Sequence, residues 1–191
     1  AAFAKDLAEI NALMRSARTV SPRLQGIGQL SASAAQDLGL WGLAARASGL
    51  AVDTRACLPG KLYESFPVEE QTESSRDCWA LMQLRLKEID ASVRWINSAL
   101  QSTDLDEVSQ PIHPTLGLKP DHLCVSTCEG PRGPVMHVLE TDSDAKLAHY
   151  KVQDSSLQTW FALAMSLRDN DISDFPICNK SFDLSYCGND L

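Results

Sequence analysis

The sequence has no apolar run approaching the ~20 residues that a membrane-spanning helix requires, no clustered excess of lysine and arginine, no internal repeat and no low-complexity tract. Each absence removes a class. Without a span, any membrane association is expected to be peripheral. With 17 basic residues against 25 acidic ones and a formal net charge of −8, nucleic acid is excluded as a partner, because phosphate binding needs a basic stripe. The opening residues, Ala1 to Ile10, carry Lys5, Asp6 and Glu9, which argues against a secretory signal. Six cysteines (57, 78, 124, 128, 178 and 187) make an even number, which invites a disulfide framework. Yet a chain of 191 residues that is 44% apolar can bury roughly 70% of its unfolded surface and needs no staples. Cys78 and Cys124 lie in apolar-patterned segments and are expected to behave as small hydrophobes. A cytoplasmic protein is the default, with a peripheral place on a larger membrane complex left open.

What is present reads first as helix. Phe3, Leu7, Ile10, Leu13 and Met14 recur at helical spacing, predicting a helix over 3–15 that Pro22 ends. Gln25 to Gln29 is a glycine-bearing turn, and Ser31 is an N-cap for a short helix over 32–38 stopped by Gly39. Residues 39–67 show no sustained period and predict a long irregular segment, punctuated by Gly42, Gly49, Pro59, Gly60 and Pro67. A long helix opens at Ser74 or Ser75. Its seam of Met82, Leu86, Ile89, Val93, Ile96 and Leu100 is of the kind that packs on another helix. Pro111, Pro114, Gly117 and Pro120 mark a connector. From Leu123 the period changes to two, predicting strands over 123–129, 135–140 and 147–152 joined as an antiparallel meander. A helix over 157–168 follows, expected to bury Leu157, Trp160, Phe161, Ala164 and Leu167, and then a compact mixed tail.

Three ordered blocks carry a family signal. The first is Leu24-Gln25-Gly26-Ile27-Gly28-Gln29-Leu30-Ser31 with Leu38-Gly39 and Arg46-Ala47-Ser48-Gly49. The second is Glu129-Gly130-Pro131-Arg132-Gly133 with His137 on the following strand. The third is Asp174-Phe175-Pro176, then Asn179 and the tail from Ser181 to Asp190. Together they resemble the C-terminal half of the large subunit of energy-converting nickel–iron hydrogenases of the formate hydrogenlyase type. They equally resemble the homologous 49-kDa subunit of respiratory complex I.

The resemblance implies a mainly α fold with a small antiparallel β-meander, residues 1–191 forming a single C-terminal portion. In the hydrogenases the tail resembles Asp-Pro-Cys-x-x-Cys, and its two thiolates join two from an N-terminal Cys-x-x-Cys to hold nickel and bridge to iron. Soft, deprotonated sulfur is what such a centre demands. Here Leu184 stands at the proline, Ser185 at the first cysteine and Gly188 at the second, with Cys187 one residue out of register. Nothing before Cys57 supplies the other pair. The expectation is therefore no bound metal or cofactor. In the complex I subunit, which also lacks the cysteines, the former metal cavity became part of the quinone-binding chamber. Its quinone-contacting His and Tyr belong to an N-terminal half that these residues do not match. The implied function is a hydrogenase-like oxidoreductase subunit forming part of a redox or quinone-binding chamber, with quinone in the full complex. The implied location is peripheral to the inner membrane. Implied partners are the other subunits and an N-terminal half, with a homo-oligomer as a further option. The alternative is a structural or assembly subunit with no chemistry of its own.

The resemblance nominates Arg46, Arg132, His137, Ser185, Gly188 and Asp190 as cavity residues, with no catalytic residue. Beside it stand plainer readings. Arg132 is a hairpin-turn arginine facing water, Arg46 a buried ion pair with a carboxylate, and His137 a structural hydrogen-bond partner, with His149 on the neighbouring strand. Asp190 is expected to pair with Arg132 or Arg46, plugging the vacated site. A zinc site from His113, His122, Cys124 and Cys128 fails on spacing, since strand rise separates the two cysteines by about 13 Å. A thiol-nucleophile enzyme built on Cys187 lacks a supporting His–acid pair.

Overall fold

The computed structural model describes residues 2–102 and 117–189. Helix α1 (Ala2–Ser16) buries none of its residues, and α2 (Ser21–Leu24) follows directly, with Pro22 in its first turn. Proline thus starts a helix here, its fixed φ suiting the first turn where no N–H is required. Ser31 caps α3 (Ala32–Asp37) by accepting the Ala34 N–H at 3.1 Å, and Gly39 leaves the helix with φ of 62°.

Residues 39–67 depart from expectation. They hold three short helices: α4 (Gly42–Ala47), α5 (Thr54–Cys57) and α6 (Lys61–Ser65). Every residue of α4 is buried. A helix surrounded on all sides has no polar face and therefore no amphipathic period to read. Its alanines let it sit close to its neighbours.

The long helix is α7 (Cys78–Ser102). Its cap is Asp77, which accepts the Ala80 N–H at 2.9 Å and the Ser75 hydroxyl at 2.7 Å. The face it buries is Cys78, Ala80, Leu81, Gln83 and Leu84, all in its first two turns. The regular seam lies on a different face. Ile89, Ile96 and Leu100 are exposed, while Met82, Leu86 and Val93 are half-buried.

Strands β1 (Leu123–Gly130), β2 (Gly133–Thr141) and β3 (Leu147–Gln153) form an antiparallel sheet in that order. Gly130 pairs with Gly133 across the Pro131-Arg132 turn. The far end of the sheet reaches away from the core, with Leu123, Val125, Leu147 and Tyr150 exposed. Cys124 is likewise exposed and is no core hydrophobe.

Helix α8 (Ser156–Ser166) buries Ser156, Thr159, Ala162, Leu163 and Ser166. Leu157, Phe161 and Ala164 face outward instead. The small residues win the inner face because α8 packs closely on the tail helices. A 3-10 turn (Ile172–Asp174), α9 (Phe175–Phe182) and α10 (Tyr186–Asn189) complete the chain. The core gathers α4, the first turns of α7, α8 and α9 around Leu43, Leu81, Leu84, Leu163, Cys178 and Phe182. Pro111, Pro114 and His113 lie outside the described residues.

Candidate functional site

Two arginine-centred arrangements dominate the interior, and one turn links them. The turn is Pro131-Arg132 between β1 and β2. Its Gly133 has φ of 137°, and a β-carbon placed on Gly42 of α4 would lie 2.1 Å from the Gly133 Cα. Backbone meets backbone at this point. Only glycine at both positions permits that approach, and it seats the Glu129 to Gly133 block against α4, which carries Arg46.

Arg46 is 1% exposed. Its Nε donates to Glu88 Oε1 at 2.8 Å, and its Nη1 donates to Glu129 Oε1 at 2.9 Å and to the Val52 carbonyl at 3.0 Å. Asp53 Oδ2 lies 3.5 Å from Nη1 and is held in turn by Arg55, at 2.6 Å from Nη2. Glu129 also accepts the Thr54 N–H at 3.2 Å. Burial works against the Arg46 charge, but Glu88, Glu129 and Asp53 outweigh it and raise its pKa. Burial likewise opposes the Asp53 carboxylate, and the Arg55 hydrogen bond with the Arg46 charge overcomes it, leaving its pKa lowered. The ion-pair reading of Arg46 thus describes its contacts. Asp53, Arg55 and Glu88 escaped the sequence reading, although Asp53-Thr54-Arg55 just after Arg46-Ala47-Ser48-Gly49 is a local charge signal that could have been noticed.

The second arrangement holds the tail. Arg85 of α7 donates to the carbonyls of Ser181 at 2.6 Å and Phe182 at 3.4 Å, and Arg132 Nε donates to the Asp183 carbonyl. These are the unpaired carbonyls at the C-terminus of α9, where cations are favoured. Asp183 takes a left-handed conformation, with φ of 53°. It accepts Lys180 Nζ at 2.6 Å and lies 3.8 Å from Arg132 Nη2. The Lys180 hydrogen bond, with the charges of Arg132 and Arg85, holds its carboxyl below the usual range despite some burial. Arg85, half-buried, has its own pKa pushed down by burial.

Beyond this clamp the chain turns inward. Phe182 and Leu184 are buried, and the Ser185 N–H donates to Ser156 Oγ at 3.0 Å. Ser185 Oγ accepts the Gly188 N–H at 2.9 Å, capping α10. Gly188 is buried against Asp154, whose carboxyl carbon would sit 2.7 Å from an added β-carbon. Tyr186 and Cys187 are exposed, although the Tyr186 ring rests on Trp160 with centroids 5.0 Å apart. Asp190 lies outside the described residues. Ser185 and Gly188, at the positions where the resemblance places thiolates, do not fit a nickel–iron centre: one hydroxyl is engaged as a cap and the other position has no side chain. No group of three or more His, Cys, Asp or Glu that could hold a metal occurs among the described residues.

His137 is removed from both arrangements. It hydrogen-bonds the Tyr150 hydroxyl at 2.6 Å on an exposed part of the sheet. His149 pairs with Glu140 in register, and the pleat turns it to the opposite face from His137, so the two histidines do not meet.

A groove of about 650 Å³ starts beside the arginines. Arg46, Arg55, Arg85, Glu88 and Glu129 line one part of it. Ile89, Val93 and Ile96 continue it along α7, with Phe3 and Pro131 also on its walls.

Comparison with known proteins places this geometry. Residues 1–116 match the family model described as the respiratory-chain NADH dehydrogenase, 49 Kd subunit. The carbon monoxide-induced hydrogenase of Rhodospirillum rubrum is 30% identical over 92% of this chain and 48% of its own length. Formate hydrogenlyase subunit 5 of Escherichia coli (strain K12) is 27% identical over 95% of this chain and 32% of its own length. An NADH-quinone oxidoreductase subunit of Thermosipho melanesiensis is 27% identical over 87% of this chain and 47% of its own length. The chain thus spans about half the length, or less, of these relatives. The family match and these similarities, which together reach across all three motif blocks, agree: the chain belongs to the family of the respiratory-chain NADH dehydrogenase 49-kDa subunit.

Proposed function

We propose that this chain is a subunit of an oxidoreductase complex, that it forms one wall of a chamber receiving a redox-active amphiphile of the quinone class, and that it carries no nickel of its own. The groove along α7 is the observation that carries this reading. From Arg85 to Ile96 the helix runs about 16 Å, and over that length its lining passes from guanidinium and carboxylate groups to aliphatic side chains. A quinone has the same gradient, a polar ring on an apolar tail. Its ring oxygens gain negative charge on reduction. Arg85, bonded to backbone carbonyls rather than to a carboxylate, is a fixed cation beside them that favours that charge.

The relatives supply the chemical class: by name they are a hydrogenase, a formate hydrogenlyase subunit and an NADH-quinone oxidoreductase subunit. The tail supplies the negative part of the proposal, since Ser185 and Gly188 provide no thiolate. The test is photolabelling of the native complex with an azido-quinone, followed by peptide mapping. Label within 85–96 or 129–132 is the expected result. A complex that reduces quinone while this chain stays unlabelled would overturn the reading.

A second reading, a structural subunit with no chemistry of its own, is favoured by one specific observation: α1 buries none of its residues. Such a helix serves as a docking face. The same labelling experiment separates the two, because a purely structural subunit takes no quinone label.

A further inference from the structure

Cys78, the first residue of α7, and Cys178, in α9, are both 0% exposed, and the Cys78 thiol donates to Cys178 Sγ at a sulfur–sulfur distance of 3.9 Å. Gly28 roofs the pair: a β-carbon there would lie 2.8 Å from Cys178 Sγ and 3.0 Å from Cys78 Sγ. The other four cysteines are exposed. We propose that Cys78 and Cys178 are a disulfide-forming pair, a modification site that takes a small-molecule disulfide as its oxidant and fastens the tail helix α9 to the central helix α7. This inference does not depend on the chamber reading.

The two sulfurs already lie in contact at 3.9 Å. Bond formation must bring them to about 2.05 Å by rotation about the side chains, and Gly28, packed directly on both sulfurs, admits no side chain between them and the backbone above. The chemistry balances. The thiolate of one cysteine attacks a sulfur of the oxidant, expelling one thiolate and forming a mixed disulfide. The second cysteine then attacks the protein sulfur of that mixed disulfide and expels the remaining thiolate. Two protein thiols are oxidised, one disulfide is reduced to two thiols, and the two protons end on the released thiols.

Burial sets the rate. It pushes the Cys178 thiol up to about 12, so the closed molecule holds almost no thiolate, and a 0% exposed sulfur cannot meet the oxidant. Reaction therefore waits for α9 to lift, against the Arg85 and Arg132 bonds at its C-terminus. Once formed, the bond is shielded from reductant by the same packing. Closure also fixes Asp183 and the turn at Ser185, which leave directly from α9.

The test uses the full chain with Cys57, Cys124, Cys128 and Cys187 each changed to Ser, incubated with oxidised glutathione, then denatured, alkylated and mapped by mass spectrometry. The expected product is a cross-linked peptide pair containing Cys78 and Cys178. It should come with a melting temperature raised by about 5–15 °C that falls back on adding dithiothreitol. Adding Cys178→Ser should abolish both effects, and adding Arg85→Ala should speed cross-linking by loosening α9. Recovery of both thiols free after prolonged oxidation, in the Arg85→Ala variant as well, would overturn the proposal. So would glutathione mixed disulfides without the cross-link.

Discussion

Gly188 shows how much of the tail's chemistry rests on a single position. A side chain there meets the Asp154 carboxyl at 2.7–3.0 Å, so Gly188→Cys is expected to cost about 1–3 kcal/mol as an overpacking change, read from urea unfolding. Pairing it with Ser185→Cys restores the cysteine spacing of the hydrogenase tail, yet hydrogen evolution by the double variant of this 191-residue chain is expected to stay at background, because these residues hold no Cys-x-x-Cys for the second pair that the hydrogenase resemblance implies. Arg46 is the buried counterpart. Arg46→Met leaves Glu129 buried without its cation, while Asp53 keeps Arg55, and the expected loss is about 3–5 kcal/mol. Adding Glu129→Met should recover part of that loss rather than deepen it, the signature of a coupled pair. Cys178 sets the alkaline limb. Its folded pKa is raised to about 12, so its contribution is fully present below the ordinary thiol value of about 8.5 and is lost as pH rises toward the folded value. Stability should fall between those limits, with Cys78, whose thiol burial also pushes up, adding to the fall. Cys178→Ala should show a shallower fall, as measured by chemical unfolding across that range.

At the scale of elements, α9 and its clamp make the tail part of the fold. Ending the chain at Ser181 removes the buried Phe182 and Leu184. The loss of Phe182 packing alone should cost about 3–5 kcal/mol, and calorimetry should show a clearly lowered melting temperature. A truncation without thermal effect would contradict the inward path of the tail. The resemblance implied such a path by setting Ser185 and Gly188 where hydrogenases hold metal; of the apolar residues around them Phe182 and Leu184 are buried, while Tyr186 is exposed and only stacks on Trp160. The long helix, the first helix and the three strands were legible too, since their periods of 3.6 and two persist over many residues. Helices α4 to α6 were not. Burial on all sides leaves α4 without an amphipathic period, and α5 and α6 run for only four and five residues. In α7 and α8 the period gave the helix but misplaced the inner face: in α7 burial is confined to the first two turns, around Leu81 and Leu84, and in α8 small residues such as Ala162 and Ser166 took it, because close approach between helices selects for size rather than hydropathy. Of the site, Arg46 and Arg132 stand out in short motifs. Their partners Glu88, Glu129 and Asp183 come from segments far along the chain that only the fold brings together.

For the whole molecule, the described surface carries apolar residues on several elements. Phe3, Ile10 and Leu13 on α1, Ile89, Ile96 and Leu100 on α7, and Val125, Leu147 and Tyr150 on the sheet are all exposed. Phe3, Ile89 and Ile96 share one groove, and apolar surface gathered in this way marks contact with other chains, in line with relatives whose names call them subunits. Among the described residues no helix is long and apolar enough to cross a membrane. Sedimentation of the isolated chain should therefore show association that grows with concentration. A strictly monomeric profile at high concentration would count against that reading. The central claim, an oxidoreductase-family subunit with Ser185 and Gly188 in a capped turn where the hydrogenase resemblance places thiolates, is tested most directly by elemental analysis of the purified chain for nickel. The expected result is far less than one nickel per chain. A value near one per chain would contradict it.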